Sequence, residues 1–593
     1  MRVHAELYPG QGRATLRATY RLVNRTAAPI DSIHLSADPG REVTVHAIRF
    51  DRRARQVLQD AAHGYRIHAL ERPLQPGDSL RMHVDVTVAP RGFRNREQPS
   101  TSTTMVGEFT NLGSWVLPAV GYQRGEELSA AADRREHGLP PGGVRPAIDD
   151  ARARSVPRIP RMELEATVGT SPHHVAVVPG RLLRSWTQGG RRYFHYRTEA
   201  PVLGFFSILS ARYAVRQARW TDSAAGRQVE IRVLHHPDHG QNVDRMVRGA
   251  QMSLDYFSRE FGPYPHRQLW LVEFPRYASG ARAYGGQIVY SEASPMAQAR
   301  GYRGRKGRTD DPALTLAAHE LAHQWWGQQV MGADVQGSQM LSETLAQYGA
   351  VMVLERARGP RAARRIVQSM HERYLYGRGR HPTAEVPLLL TEDHDYMHYG
   401  KGAVVMYTLR EYLGEQAVNT ALRRLVQTHG MQGPPYATTL DLYAELQRVT
   451  PDSLRYLLHD LLATITLWDL QATGAHAQPV GGGAYRVTLD VQAAKLRSDG
   501  VGNHTPVPMD DLVEIGVFAA PRDGDAPGAP LYLRKHRIHS GQQTLTITVP
   551  GRPAHAGIDP YHRLIARQVE ALYTPDVKLA EVQIQSPARE GGR

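Results

Sequence analysis

Residues 311–328 read DPALTLAAHELAHQWWGQ, and this stretch, together with LSETLAQY at 341–348, decides how the chain is interpreted. Asp311 followed by Pro312 is typical of a helix start, because a capping side chain precedes a proline at the first helical position. We expect this helix to continue to the end of the stretch. A second helix is expected over about 338–359, where a Gly-Pro pair ends it. The sequence therefore predicts two successive helices.

The first helix carries the pattern HExxH, in which His319 and His323 lie four residues apart. At that spacing both imidazoles project from one helical face and reach a single ion. Neutral imidazole suits Zn²⁺, and a catalytic zinc takes three protein ligands and keeps a fourth position for water. Glu343, on the second helix, supplies the missing ligand for one zinc ion. Glu320 lies close enough to the metal's water to act as a general base without being a ligand.

The alternative interpretation of HExxH is a pair of histidines that pack or face solvent. The carboxylate of Glu343 on the next helix argues against it. His394 and His398 are also four residues apart, but no third ligand is evident, so we predict polar residues that face solvent or line a pocket. Asp334 is either a turn residue or a side chain that orients a zinc ligand.

Hydrophobic alternation with a period of two marks both ends of the chain and predicts β-structure. It occurs at 16–22 and 80–88, and again at 485–491 and 545–549. Between these regions the periodicity is helical. We therefore expect an α+β multidomain fold, in which the proposed boundaries are an N-terminal β-sheet domain at 1–216, a mostly helical catalytic domain at 217–468, a C-terminal β-sandwich at 469–572 and a tail at 573–593.

Composition excludes several classes of function. Cysteine is absent, which rules out thiol nucleophiles and thiolate metal sites. The net charge is +14, but the densest basic run, at 300–308, contains one aromatic residue, Tyr302, so we expect no nucleic-acid partner. No apolar run approaches the ~20 residues that span a bilayer. The start of the chain has no apolar segment typical of a signal peptide. We expect a soluble chain.

Four segments resemble the aminopeptidase N family of gluzincin metallopeptidases. They are the zinc helix HELAHQWWG at 319–327, the third-ligand segment LSETLAQY at 341–348, YFSREFGPY at 256–264 and YGKG at 399–402. The resemblance implies a thermolysin-like catalytic domain, one zinc ion and a peptide substrate, with aminopeptidase as the favoured activity. It also implies that the Tyr399 hydroxyl stabilises the tetrahedral intermediate.

Further segments resemble a bacterial branch of that family, in which the peptidase follows an ABC-type permease in one polypeptide. They are VAPRGFRN at 88–95, LGSWVLPAVGY at 112–122, DRREHGLPP at 133–141 and AGIDPYHRLI at 556–565. The resemblance implies a permease region in the same polypeptide or complex. It also implies a location on the extracytoplasmic side of a bacterial inner membrane, with a cytoplasmic location as the alternative. The sequence leaves the oligomeric state open.

The spacing of the third ligand departs from the family pattern. Nineteen residues separate His323 from Glu343. The family usually has one fewer, which would place the ligand at Ser342. We expect the extra residue to be absorbed in the loop at 329–338, because a loop can take an insertion without moving either helix.

The second departure lies in GARAYGG at 280–286, which aligns with the family's GAMENWG. Gly280, Ala281, Arg282 and Ala283 are the expected substrate-binding residues. The family's glutamate, which binds the substrate's α-amino group, is replaced by Ala283. An ammonium without its carboxylate loses an ion pair. Glu273 on the adjoining strand is a possible substitute, and Arg282 could instead favour a carboxylate.

Three functions therefore remain open. An aminopeptidase is favoured by the resemblance, and a zinc endopeptidase or atypical exopeptidase is favoured by Ala283. The third is a catalytically silent module that binds peptides for a membrane transporter.

Overall fold

The computed structural model describes residues 1–37, 42–89, 103–123, 127–128, 131–140, 145–223, 226–296, 311–381, 383–392, 394–521, 528–567 and 581–583. The basic run at 300–308 and most of a hairpin loop predicted at 521–530 lie outside these residues. The chain forms two compact units. The first comprises 1–145, 157–331 and 431–433, and the second comprises 146–156, 332–430 and 434–593.

Among the described residues, twenty-two strands and three α-helices belong to the first unit. The strands are β1 (Arg2–Tyr8), β2 (Arg13–Val23), β3 (Ile30–Ser36), β4 (Val43–Phe50), β5 (Ala54–Asp60), β6 (Tyr65–Leu74), β7 (Ser79–Val88), β8 (Thr103–Val106), β9 (Phe109–Gly113), β10 (Ala119–Val120), β11 (Arg161–Met162), β12 (Glu165–Thr170), β13 (Val175–Val177), β14 (Arg181–Gln188), β15 (Arg191–Arg197), β16 (Val202–Leu203), β17 (Ser207–Ala211), β18 (Ala214–Asp222), β19 (Arg227–His235), β20 (Gln268–Phe274), β21 (Ala281–Tyr284) and β22 (Gln287–Ser291). The helices are α1 (Ala131–Glu136), α2 (Val243–Phe261) and α3 (Pro312–Ala322).

The alternating patterns at the start of the chain form neighbouring strands of one sheet. This seven-stranded sheet has the order β14-β15-β12-β1-β2-β7-β4. Strands β2 and β7 pair antiparallel, with Leu16 opposite Val86 and Ala18 opposite Val84. All four side chains are buried in one core. The predicted period of two is confirmed, since one face of each strand is buried and the other is wet.

A five-stranded sheet with the order β18-β19-β20-β22-β21 leads into the helical part of the chain. Strands β19, β20 and β22 run parallel to each other. Every residue of β20 is buried, as expected for a parallel strand that is covered on both faces. Strand β21, which contains most of the GARAYGG segment, pairs only with β22 among the described residues and is the last strand of the sheet.

In the described part of the second unit, six α-helices precede eight strands. The helices are α4 (Leu345–Arg358), α5 (Pro360–Arg378), α6 (Gly402–Leu413), α7 (Glu415–His429), α8 (Thr439–Val449) and α9 (Arg455–Leu462). The strands are β23 (Thr466–Gly481), β24 (Ala484–Ser498), β25 (His504–Val507), β26 (Asp510–Phe518), β27 (Pro530–His539), β28 (Gly541–Pro550), β29 (His555–Ile558) and β30 (Glu581–Gln583). They form two antiparallel four-stranded sheets. Strand β30, within the predicted tail, pairs with β29.

The α+β class is confirmed, with an N-terminal β region, a helical middle and a β-rich C-terminal part. The helical periodicity of the sequence also predicts helices at about 242–260 and 402–413, and these correspond to α2 and α6. The zinc helix, however, is shorter than expected, because α3 ends at Ala322 rather than near 328. At its end, backbone N–H groups bond to the carbonyl three residues earlier, as in a 3-10 turn. Gly327 then has a φ of +107°, which is incompatible with a continuing helix. Within the described ranges, no helix has both the length and the apolar character needed to cross a bilayer.

Candidate metal centre

The start of α3 is fixed by Asp311. Its Oδ1 accepts the N–H of Leu314 at 3.2 Å, and its Oδ2 pairs with the Arg245 guanidinium at 2.8 Å. Pro312 occupies the first helical position, where no N–H is needed. The predicted cap is confirmed. Because the helix has a fixed start, the position of His319 about two turns further on is fixed as well.

The two histidines of HExxH present their Nε2 atoms to the same point. These atoms lie 3.2 Å apart, and the ring planes cross at 89°. Two nitrogens bound tetrahedrally to zinc at their usual distance would be separated by about 3.3 Å. The Nδ1 of His323 lies 3.1 Å from the carbonyl oxygen of Trp326. Since a carbonyl only accepts, Nδ1 carries the proton and Nε2 keeps its lone pair for a metal.

The turn that supplies this carbonyl is anchored by two buried tryptophans. The indole N–H of Trp325 donates to the carbonyl of Gly262 at 2.8 Å. Trp325 packs edge-on against Phe257, and Trp326 packs edge-on against Phe261, both on α2. The segment WWG behind HExxH is therefore a packing element that holds the second histidine.

Gln324, between the second histidine and the tryptophans, links this turn to the edge strand. Its Nε2 donates to the carbonyl of Tyr284 at 2.9 Å, and its Oε1 accepts the N–H of Gly286 at 2.9 Å. A glutamine amide can satisfy a carbonyl and an N–H at the same time. The sequence analysis missed this residue, since a glutamine beside a metal motif carries no signal of its own.

His319 and His323 lie in the first unit, and Glu343 lies in the second. Two neutral imidazoles and one carboxylate are a donor set that catalytic zinc uses, so these residues fit the predicted ion. Glu320, next to His319 on α3, is buried, with 6% of its surface exposed. That Glu343, and not Ser342, is the third ligand stays a prediction.

Both predicted site residues of the second unit lie in π-helical segments. Glu343 lies in Met340–Thr344 and Tyr399 lies in Tyr396–Lys401. A π turn holds more residues than an α turn and is often found at functional sites. The turn around Glu343 can therefore absorb the extra residue within the helix itself, where the sequence analysis had assigned it to the loop at 329–338.

The two π segments touch directly. The Thr344 hydroxyl donates to the carbonyl of His398 at 2.8 Å. A Cβ placed on Gly402 would lie 2.3 Å from the Thr344 hydroxyl oxygen, so only glycine fits there. The glycine that ends YGKG is thus explained by close approach of backbone to side chain.

Tyr399 is half-buried, and its ring is flanked by two side chains. The Arg373 guanidinium lies 4.9 Å from the ring centroid, and the His398 ring lies 4.5 Å away. Burial lowers the pKa of His398, so this imidazole is neutral near pH 7. The arrangement leaves Tyr399 beside one cation and one neutral ring.

A buried charge cluster holds the C-terminal end of the same π segment. The Lys401 ammonium, fully buried, lies 2.9 Å from Glu385, which also accepts the Tyr374 hydroxyl at 2.7 Å. Arg378 pairs with the other carboxylate oxygen at 2.6 Å. Burial alone would raise the pKa of Glu385, but Lys401 and Arg378 outweigh it and hold the pKa below its usual value. The charge on Glu385 is therefore compensated.

The residues expected to bind substrate lie on and beside β21. Gly280 and Arg282 are exposed, Ala281 is half-buried and Ala283 is buried. No carboxylate replaces the family's glutamate on this strand. Glu273, the possible substitute, is buried and in contact with the His239 imidazole. Its carboxylate is therefore engaged with a side chain of the protein.

The remaining candidates have ordinary polar contacts. The Nε2 of His394 lies 2.9 Å from the Thr383 hydroxyl. The backbone N–H of Asp334 donates to the carbonyl of Val156 at 3.0 Å, which joins two segments distant in the chain. Among the described residues, neither His394 nor His398 belongs to a group of three ligands for a metal.

Part of the chain matches a known family of protein domains. Residues 246–460 match the model of the Peptidase family M1 domain. The chain is 24% identical over 398 residues to aminopeptidase N of Oryctolagus cuniculus, covering 60% of this chain and 40% of that protein. It is 25% identical over 233 residues to endoplasmic reticulum aminopeptidase 1 of Homo sapiens, covering 38% and 24%. The aligned region thus spans less than half of these relatives.

Solved structures of M1 zinc metallopeptidases are similar to this chain in fold. A two-domain M1 zinc metallopeptidase bound to L-tryptophan matches with a TM-score of 0.56 and 17% identity, covering 78% of this chain and 92% of that one. The M1 zinc metallopeptidase of Deinococcus radiodurans matches with a TM-score of 0.54, 18% identity and the same coverage. At this identity the likeness shows the fold.

Proposed function

We propose that the chain is a zinc-dependent peptidase and that its favoured activity is that of an aminopeptidase. The observation that carries the proposal is the pair of imidazoles of His319 and His323, whose Nε2 atoms face one point at the separation that a shared zinc ion requires. Glu343 completes the proposed ligand set. The M1 domain match and the resemblance to aminopeptidase N favour peptide substrates.

The proposed mechanism assigns one role to each residue. His319, His323 and Glu343 hold the ion, which when bound would lower the pKa of a water and polarise the scissile carbonyl. Glu320 takes the proton of the attacking water and transfers it to the leaving amine. The Tyr399 hydroxyl donates a hydrogen bond to the oxygen that becomes negatively charged in the tetrahedral intermediate.

The proposed substrate groove runs along β21. It is an edge strand among the residues that the structure describes, and such a strand offers backbone groups to which an extended peptide can add as a further strand. Gly280, Ala281, Arg282 and Ala283 would contact that peptide. The exposed Arg282 guanidinium favours a carboxylate on the substrate.

A second candidate is a zinc endopeptidase or an atypical exopeptidase. It is favoured by Ala283, which leaves this strand without a carboxylate for a substrate's α-ammonium group, and by the engagement of Glu273 with His239. A peptidase without that ion pair would not need a free N-terminus.

Two reporters separate the candidates. One is an aminoacyl amide with a free α-amine, and the other is the corresponding N-acetylated peptide. Faster cleavage of the free-amine reporter supports the aminopeptidase, and equal or faster cleavage of the acetylated peptide supports the endopeptidase. Glu320→Gln should abolish both activities while zinc content stays unchanged. Hydrolysis that survives this change would contradict the proposal, and a wild-type chain with no turnover would favour the peptide-binding module.

The partner and the cellular location of the peptidase are proposed from the family resemblance alone. We infer a permease region in the same polypeptide or complex and an extracytoplasmic position at a bacterial inner membrane, with a cytoplasmic position as the alternative. The division into segments at 216, 468 and 572 likewise stays a prediction.

A further inference from the structure

Three potential metal ligands lie at one edge of the five-stranded sheet. Glu273 is the penultimate residue of β20, Glu292 follows the last residue of β22, and His239 lies four residues beyond β19. These three strands are parallel neighbours. The carboxyl ends of parallel strands meet at one edge, and this is where sheets of this kind bind ligands.

The three side chains are close enough to share an ion. One ligand atom from each lies within 4.8 Å of the other two. The Nδ1 of His239 contacts the Oε1 of Glu273 directly. Glu292 receives the Nε–H of Arg276 at 3.1 Å on its Oε1. The cluster thus combines one imidazole with two carboxylates, and only one of these carboxylates is paired with an arginine among the described residues.

A second observation points to a missing partner. Glu273 is 3% exposed, and its Oε2 has no hydrogen-bond partner in the part of the chain that the structure describes. The hydroxyl of Tyr290, which lies opposite Glu273 in the pairing of β20 with β22, is also buried without a partner there. Leaving such groups buried and unpaired is unfavourable. A ligand in this position would remove that cost.

We propose that His239, Glu273 and Glu292 bind a second zinc ion, separate from the HExxH site. Imidazole nitrogen and carboxylate oxygen are both zinc ligands, with bonds of about 2.0–2.2 Å. The ligand atoms would shift on binding, since atoms that share a zinc ion lie about 3.3 Å apart. The ion replaces the proton between His239 and Glu273, and the neutral imidazole then carries its proton on Nε2.

Such an ion would join three separate segments of the chain. It would connect the turn after β19, the end of β20 and the turn after β22. Strand β22 is the only described partner of the edge strand β21. The proposed role of the ion is therefore structural, holding the sheet that supports β21.

The test is zinc stoichiometry of the full chain. After saturation with Zn²⁺ and removal of free metal, elemental analysis should find two zinc ions per wild-type chain. His239→Ala and Glu273→Gln should each hold one. The matched control is His236→Ala, which removes an exposed histidine of the same turn and should keep two. Circular dichroism checks that each variant is folded, and His239→Ala keeps the test available if Glu273→Gln does not fold.

A His319→Ala background separates this site from the HExxH site. There, one zinc ion should remain, and adding His239→Ala should remove it. Zn²⁺ should raise the melting temperature of the His319→Ala chain and not that of the double variant. A wild-type chain with one zinc ion, or a second ion that is unaffected by His239→Ala and Glu273→Gln, would overturn the proposal.

Discussion

The Nε2 atoms of His319 and His323 lie 3.2 Å apart, although the two residues have different backbone environments. His319 is inside α3, whereas His323 caps its C-terminus. The first imidazole is therefore positioned by the helix. The second is positioned by the carbonyl of Trp326, in the turn that follows.

Glu343→Gln should weaken zinc binding by at least one order of magnitude, because a neutral amide replaces the anionic ligand. Ser342→Ala should leave the affinity unchanged. Competition with a chelating dye measures both constants, and the comparison tests the register of the π turn. A loss of affinity in Ser342→Ala alone would show that the ligand has been assigned one residue too far along the chain.

Tyr399→Phe should lower kcat by about 10²–10³ with little change in KM, because the hydroxyl acts only on charge that develops in the transition state. Steady-state kinetics with the preferred reporter measure both parameters. Tyr376→Phe, an exposed tyrosine of α5, serves as the control and should behave as wild type. An unchanged kcat in Tyr399→Phe would remove this residue from the mechanism.

Glu385→Gln should destabilise the second unit by about 3–5 kcal/mol, because it leaves the buried Lys401 ammonium without its counter-charge. Chemical unfolding followed by circular dichroism measures the change. Glu415→Gln, which removes a more exposed partner of Arg356, should cost less than about 1 kcal/mol. Similar losses in the two variants would mean that the buried cluster contributes no more than a surface pair.

Stability should fall as the pH drops below 6.5, in part through His371. Burial, assisted by His562, lowers its pKa to about 3, and its Nε2 accepts the N–H of Ala566 at 3.1 Å. Between pH 6.5 and about 3 the unfolded chain therefore binds a proton that the folded chain does not. This costs about 1.4 kcal/mol per pH unit.

His371→Gln removes that proton and should make the free energy of unfolding less steep across this pH range. Chemical unfolding at several pH values gives the slope. The corresponding change at the exposed His476 should leave it as in wild type. Equal slopes for His371→Gln and wild type would contradict the assignment.

Motifs with a fixed spacing could be predicted from the sequence. Asp311 and Pro312 gave the start of α3, and the alternation around Leu16 gave the buried face of β2, because each depends on local geometry. The end of α3 could not be predicted in this way. It depends on Gln324 and two tryptophans, which bond to segments far away in the chain.

The π segments were missed for a similar reason. A period of 3.6 does not reveal one additional residue in a turn, so Glu343 was placed on an ordinary helix. The turn at Tyr399 depends on contact with Thr344 and on Lys401, which is buried against Glu385. These partners are distant in sequence, and only the folded chain brings them together.

Because the turn at Trp326 is anchored against α2, this packing affects how the metal centre responds to heating and to substitution of the packed residues. Because the second imidazole is aligned by a backbone oxygen, loosening of the aromatic contacts at Phe257 or Phe261 would tilt that ring before any ligand was altered. Loss of metal would then precede global unfolding on warming. These aromatic contacts would set the temperature up to which the protein keeps its ion.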